Sequence, residues 1–276
     1  MKRTSNHHSL ILRSQIEGVE VSRGGVAIFW LGQNSYIFKT SRETLIGLDL
    51  YLSRKLVPLE TYIYPEPPIK PEEVPVDYVF CTHDHEDHTD PNTLPPISKH
   101  SPQTRFLGPE ESYAHILKMG IPKDRAERLE ENATCWFDDF AVTPYYSVPP
   151  DDDSLPPKDR TTHYGYIFNF EGLKVYNMGD SSPSMVDKAE ELLEPIVKTH
   201  PEIAMFPIIG DYPTRKPEDA AKFTRIVKPR IVIPMHYGCF KDRTIDPTQF
   251  TRLIADKPEI KPVIIEYGGY YIAKKQ

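Results

Sequence analysis

Short apolar runs rich in Val, Ile, Tyr and Phe recur along the whole chain, each closed by a turn: "VAIFWLG", "NSYIFKT", "TLIGLDL", "VDYVFCT", "TRFLGP", "FAVTPYY", "YGYIFNF", "LKVYNMGD", "EIAMFPI", "RIVIPMH" and "VIIEYGGYYI". Their length and composition make them strands. Fewer segments read as helices, and each is framed by stop and start signals. "PEESYAHILKMG" runs from Pro109 to Gly120, with proline at the first helical position and glycine at the exit. "SMVDKAEELLEPIVKTH" opens on Ser184 as a cap, "KPEDAAKFTRIVKP" is bracketed by Pro217 and Pro229, and "DPTQFTRLIADKP" follows Asp246. In each half strands come first and then alternate with helices. That order favours an α/β architecture of two β-sheets packed face to face with helices outside. A chain of 276 residues buries an ample core, and a single domain over residues 1–276 is expected.

Two stretches interrupt the pattern with proline: Val57 to Pro75 ("VPLETYIYPEPPIKPEEVP") and Val148 to Asp159 ("VPPDDDSLPPKD"). Neither suits regular helix or a central strand. Stiff loops are expected there, with Tyr62 to Pro75 and Pro149 to Asp159 shaping entry to a site.

The net charge of −7 argues against a surface built to neutralise nucleic-acid phosphates. No stretch approaches the roughly 20 apolar residues of a spanning helix, and the "LIL" near the start is too short for a signal-peptide core. A cytoplasmic protein acting on a small molecule, with no nucleic-acid or membrane partner, is expected; whether it forms a homo-oligomer is left open. Cys81, Cys135 and Cys239 are far apart and form no C-x-x-C, so neither a disulfide framework nor a cysteine zinc site is suggested.

"CTHDHEDHTDP", residues 81–91, places three of the ten histidines and four carboxylates directly after the "VDYVFCT" strand. Strand ends are where α/β proteins usually bind ligands. His83, His85 and Asp87 are spaced by two, so an extended loop projects all three one way, and a turn brings in His88. Asp90 and Pro91 read as the cap and first position of a short helical start. Imidazole with carboxylate suits zinc, manganese or iron rather than magnesium or calcium.

"THDHEDH" resembles the H-x-H-x-D-H signature of the metallo-β-lactamase superfamily of hydrolases. The resemblance extends to "LKVYNMGDSS", where Asp180 stands like the superfamily's bridging aspartate, and to "RIVIPMHYG", where His236 stands like its final histidine. "IFWLGQNSYIF", "FLGPEES", "MGIPKDR" and "GDSS" look like the branch that includes L-ascorbate-6-phosphate lactonase. The resemblance implies an αββα sandwich of two similar halves, a metal site at their shared edge, and His83, His85, Asp87, His88, Asp180 and His236 as ligands of one or two Zn²⁺ or Mn²⁺ ions. One departure stands out. The histidine that many members carry after a strand like "FAVTPYYS" is replaced by Tyr145, Tyr146 and Ser147, with His163 the only nearby substitute. The expectation is therefore one firm position, formed by Asp87, His88, Asp180 and His236, and a weaker or absent one at His83 and His85.

A divalent metal lowers the pKa of bound water from about 15.7 towards about 7. Asp87 is expected to orient that water and Asp180 to bridge or stabilise the metals, while Cys81 and Ser181 are read as structural. The expected reaction is opening of a lactone of a small polar or sugar-phosphate substrate, with Arg160, Arg215, Lys216, Lys241 and Arg243 as candidates for a phosphate. The alternatives are a phosphodiesterase on the same fold and a non-enzymatic member.

Overall fold

The computed structural model describes residues 11–210 and 215–275, so the first ten residues of the N-terminal stretch read above lie outside the described residues. The first sheet begins with β1 (Gly25–Trp30), β2 (Tyr36–Thr40) and β3 (Leu45–Leu48) as antiparallel neighbours. It continues in parallel through β4 (Tyr78–Phe80), β5 (Arg105–Gly108) and β6 (Ala126–Arg128). The second sheet repeats this succession. Its β7 (Cys135–Trp136), β8 (Ala141–Val148), β9 (His163–Phe170) and β10 (Leu173–Asn177) are antiparallel. From β10 it runs in parallel through β11 (Ile203–Pro207), β12 (Ile231–Met235) and β13 (Lys261–Pro262). The last strand, β14 (Tyr270–Lys274), returns to pair with β1 and brings each sheet to seven strands among the described residues.

α-Helices fill the parallel crossovers except that from β3 to β4, which carries only 3₁₀ turns, since parallel neighbours need long connections. Residues 11–18 form α1, followed by α2 (Leu94–His100) and α3 (Glu110–Lys118). The second half carries α4 (Pro183–Asp187), α5 (Ala189–Leu192), α6 (Glu194–Thr199), α7 (Pro217–Val227) and α8 (Thr248–Leu253). None of the described helices is long and apolar enough to cross a membrane.

Burial on both faces explains the unbroken apolar runs. Along β1, Val26, Ile28 and Trp30 join the larger core, whereas Ala27 and Phe29 join a second one with Leu12, Ile16, Leu94, Ile97 and Ile116 of α1 to α3. Between the sheets, Phe168 packs against Phe38 at 5.0 Å and against Phe80 at 5.4 Å between ring centroids. These aromatic contacts hold the two halves face to face.

Several local expectations need correction. Pro109 is the N-cap of α3 rather than its first residue. The segment opening on Ser184 divides into α4, α5 and α6, and Ser182 is the cap, accepting the Met185 N–H at 3.2 Å because Pro183 takes the first helical position. Asp90 organises a turn, with Oδ1 accepting the Asn92 N–H at 2.8 Å, and α2 begins only at Leu94. Of "VIIEYGGYYI" only Tyr270–Ile272 are strand, at the start of β14; β13 is the two residues before the run, and 263–269 lead from one sheet to the other through a turn at Gly268 (φ 73°). Both proline-rich stretches lack regular helix or strand beyond single 3₁₀ turns at Leu59–Thr61, Pro71–Glu73 and Pro157–Asp159 and the last residue of β8.

Candidate metal centre

Each sheet changes from antiparallel to parallel pairing at one strand, β3 in the first and β10 in the second. Such switch points open a crevice beyond the strand ends. Asn34 and Asn177 join the two crevices, with Asn177 Nδ2 donating to Asn34 Oδ1 at 2.9 Å. The candidate ligands arrive around this junction: His83, His85, Asp87 and His88 after β4, His163 at the start of β9, Asp180 after β10 and His236 after β12. Gly179 (φ 66°) makes the delivery of Asp180 possible, because a Cβ there would lie 2.9 Å from the Tyr164 carbonyl and 3.0 Å from Thr82 Cβ.

The side chains form three overlapping groups: His83, His85 and His163; His83, His88 and Asp180; Asp87, His88 and His236, with ligand atoms within 4.8 Å of one another in each. Asp180 spans them. Its Oδ2 is 3.7 Å from His83 Nε2, and its Oδ1 is 3.6 Å from His88 Nε2 and 3.0 Å from His236 Nε2. On the other flank, Asp87 Oδ2 lies 3.6 Å from His88 Nε2 and 3.8 Å from His236 Nε2.

The structure thus brings together all six residues read from the sequence and adds His163. The alternation argument fails for Asp87. His88 and Thr89 donate their N–H groups to the His85 carbonyl at 2.9 and 2.7 Å, so the loop coils at His85 and sends Asp87 to the opposite flank from His83 and His85. At the other flank, the substitute named for the stretch from Tyr145 to Ser147, His163, does reach His83 and His85. A register shift between Tyr146 and Val148 pairs Val148 with His163, and the imidazole comes from the neighbouring strand, its ring centroid 4.0 Å from that of His83.

Four imidazoles are oriented by a contact on Nδ1. His88 Nδ1 meets Asp49 Oδ2 at 2.7 Å, His163 Nδ1 the Thr161 carbonyl at 2.7 Å, His236 Nδ1 the Ile209 carbonyl at 3.0 Å, and His83 Nδ1 the Thr82 hydroxyl at 3.0 Å. Such outer partners fix the tautomer and leave Nε2 facing inwards. Asp49 is the hub: its carboxylate also accepts the Thr82 N–H and hydroxyl, each at 2.7 Å, and Asn34 Nδ2 at 2.6 Å. Sequence reasoning missed this residue, although its position at the end of the "TLIGL" strand was a signal. Asp49 (φ 44°) and His236 (φ 65°) both hold left-handed backbone conformations, which non-glycine residues adopt at an energetic cost.

Charge and hydrogen bonding in the cluster fit a bound cation. Burial and the neighbouring imidazoles keep His83 far below the usual histidine range, and burial with His85 pushes His163 down to about 3, so both keep free lone pairs. Burial opposes charge on His88, but Asp87, Asp49 and Asp180 outweigh it and push His88 up to about 9. Burial likewise opposes ionisation of Asp180, yet Arg215, His236 and His88 hold it well below the usual carboxylate range. His88 Nε2 and Asp180 Oδ1 are buried atoms without a hydrogen bond of good geometry. Inward-facing nitrogen and oxygen lone pairs left unsatisfied, with excess negative charge on one flank, suit a divalent transition metal.

The other candidates separate clearly. Arg215 lines the cleft but is buried, donating from Nη1 to Asp180 Oδ2 at 2.5 Å, so its charge is directed at that carboxylate. Arg243 borders the cleft with its guanidinium over Phe240 at 4.6 Å. Arg160 is held inside its own loop by the Leu155 carbonyl at 2.9 Å, Lys216 caps α7, and Lys241 donates to the Glu60 carbonyl at 2.8 Å. Cys81 is fully buried and its thiol is pushed far up by burial, and Ser181 is also buried, in keeping with structural roles.

A metal-dependent hydrolase of the metallo-β-lactamase fold is the class that this sandwich and its donor cluster define. The chain belongs to the β-lactamase superfamily: the family's profile, described as the beta-lactamase superfamily domain, matches residues 27–236. Among curated proteins it is similar to a UPF0173 metal-dependent hydrolase of Archaeoglobus fulgidus, 28% identical over 253 residues, covering 88% of this chain and 97% of the relative. Another of that description, from Thermococcus kodakarensis, is 29% identical over 257 residues, covering 88% and 97%. Among solved structures, the metallo hydrolase Igni18 of Ignicoccus hospitalis superposes with a TM-score of 0.68 at 21% identity, covering 91% of this chain and 100% of that one. An isothiocyanate hydrolase from Delia radicum gut bacteria gives a TM-score of 0.65 at 14% identity, covering 89% and 98%. At these identities the structural likeness concerns the fold.

Removing the hub is a direct test of the outer contacts. Asp49→Ala is expected to weaken metal binding by about 10- to 100-fold, because His88 loses the acceptor that sets its tautomer. Competition with a chelator measures this, and unchanged affinity would rule out the orienting role.

Proposed function

We propose that this chain is a two-metal hydrolase that opens the carboxylic ester of a small polar lactone, including substrates bearing a carboxylate or phosphate. The observation that supports this reading is the shape of the cleft above the ligand cluster. It encloses about 540 Å³ and is walled by Leu56, Val57, Glu86, Pro156, Asp159 and Arg243, with His85, Asp87, Asp180 and His236 on its floor. That volume suits a small molecule. Of the two proline-rich stretches, the second contributes Pro156 and Asp159; the first contributes only Val57, beside Leu56. Tyr64, Glu66, Pro67 and Pro68 instead face a separate hollow with Ile11, Leu12 and Tyr267.

His83, His85 and His163 would hold one ion, Asp87, His88 and His236 the other, and Asp180 would face both. When bound, a divalent ion supplies an acidified water and a Lewis acid for the ester carbonyl. Asp87 fixes the orientation of the attacking water by accepting one of its hydrogen bonds. Gln33 Nε2 donates to Asp87 Oδ2 at 3.0 Å and holds that carboxylate in place. Burial works against its charge, but His88 and His236 keep Asp87 ionised and hence an acceptor. Arg215 maintains Asp180 in the same state. Arg243 offers a guanidinium at the cleft wall to an anionic group on the substrate.

Assay of purified protein loaded with Zn²⁺ or Mn²⁺ against a lactone panel and bis-p-nitrophenyl phosphate tests the proposal. Turnover of at least one lactone, abolished by chelation, with little or no phosphodiester cleavage is the expected result. Preferential cleavage of the phosphodiester would replace this reading with the phosphodiesterase on the same fold, and inactivity of the loaded protein on every ester would oppose both.

A further inference from the structure

His85 differs from the other four imidazoles. Its Nδ1 points inwards, 2.9 Å from His83 Nε2, and its Nε2 points outwards. A neutral imidazole carries one ring proton, so coordination through Nδ1 leaves the proton on Nε2 and makes that atom a donor in need of an acceptor. His85 Nε2 is buried without a hydrogen bond, and the carboxylate facing it is Asp159, whose Oδ1 lies 3.7 Å away. That separation is just beyond hydrogen-bond length.

Asp159 belongs to the loop between β8 and β9, and one buried carboxylate fastens this loop. Asp152 Oδ2 accepts the Ser182 hydroxyl at 2.5 Å and also that of Ser184, while Oδ1 accepts the Ser154 hydroxyl at 2.5 Å and N–H at 2.8 Å. The Ser184 N–H donates in turn to the Ser154 hydroxyl at 3.2 Å. Ser182 caps α4 and Ser184 lies in its first turn, just after Asp180. The same fastening therefore ties the cleft wall to the carboxylate that spans the ligand groups.

We propose that Asp159 is the outer positioning residue for His85, accepting its Nε2–H when Nδ1 ligates a metal, and that Asp152 sets the reach of Asp159 by stapling the loop to Ser182 and Ser184. The wall that meets substrate thereby also tunes one of the two metal positions. This rests on the reading that the cluster holds two ions.

Calorimetric titration of the chelator-stripped full chain with Zn²⁺ tests it. Wild type is expected to show two binding steps. Asp159→Asn should weaken one step and Asp159→Ala weaken it further, into the range of about 10- to 100-fold, with the other step unmoved. Asp152→Ala should shift the same step in the same direction. In a His85→Ala background, Asp159→Asn should change nothing more, an outcome that a general effect on folding does not produce. Two unchanged steps in Asp159→Ala would overturn the inference while leaving the two-ion reading intact. A single step in wild type would overturn that reading and this inference with it.

Discussion

Replacing His163 with alanine is expected to lower metal content from two ions per chain to about one and to reduce turnover on the order of 10³-fold. The first figure follows from ligand number. Without His163, the position at His83 and His85 keeps two imidazoles and a share of Asp180, whereas Asp87, His88 and His236 are untouched. The second follows from the several kcal/mol of transition-state charge stabilisation that a catalytic ion supplies, each 1.36 kcal/mol being about tenfold in rate. Metal analysis by mass spectrometry after dialysis, with turnover on the best substrate, measures both. Retention of two tightly held ions would place the second position elsewhere.

Asp180→Asn is expected to act on both positions together and to destabilise the fold. Asp180 is the carboxylate within 3.7 Å of His83 and within 3.6 Å of His88 and His236. The amide removes a charge that both ions would share. It also leaves the buried guanidinium of Arg215 without its ion partner at Asp180, and breaking a buried pair costs about 3–5 kcal/mol. The expected result is a lowered midpoint of thermal unfolding even in chelator, with metal content falling below one ion per chain. Loss of a single ion with an unchanged midpoint would deny Asp180 its bridging place.

Most of the sandwich was legible in the sequence because both faces of its sheets are buried, so nearly every central strand is a continuous apolar run. What escaped was short or determined by distant partners. Ala126–Arg128 and Cys135–Trp136 are edge pieces of three and two residues without an apolar signal. Only the end of the last apolar run, from Tyr270, is strand, because β12 takes up just Lys261 and Pro262 before it. In the candidate site the loop from His83 to His88 was legible because its donors are consecutive. His163 was visible only as a possible substitute and Asp49 not at all, since a histidine opening a strand and an aspartate closing one acquire meaning only when the sheets meet. Arg215 was noticed for its charge and does line the cleft, but its burial against Asp180 was hidden because it depends on a fold-wide juxtaposition.

On the two-ion proposal, seven side chains from both halves converge to hold two ions. Diffraction from crystals of the Zn²⁺-loaded protein, with anomalous differences collected on both sides of the zinc edge, tests it most directly. Two peaks about 3.5–4 Å apart are expected, one within roughly 2.1 Å of imidazole nitrogens of His83, His85 and His163 and the other at His88 and His236 beside Asp87, with Asp180 between them. A single peak, or a second peak with His163 out of coordinating range, would contradict it.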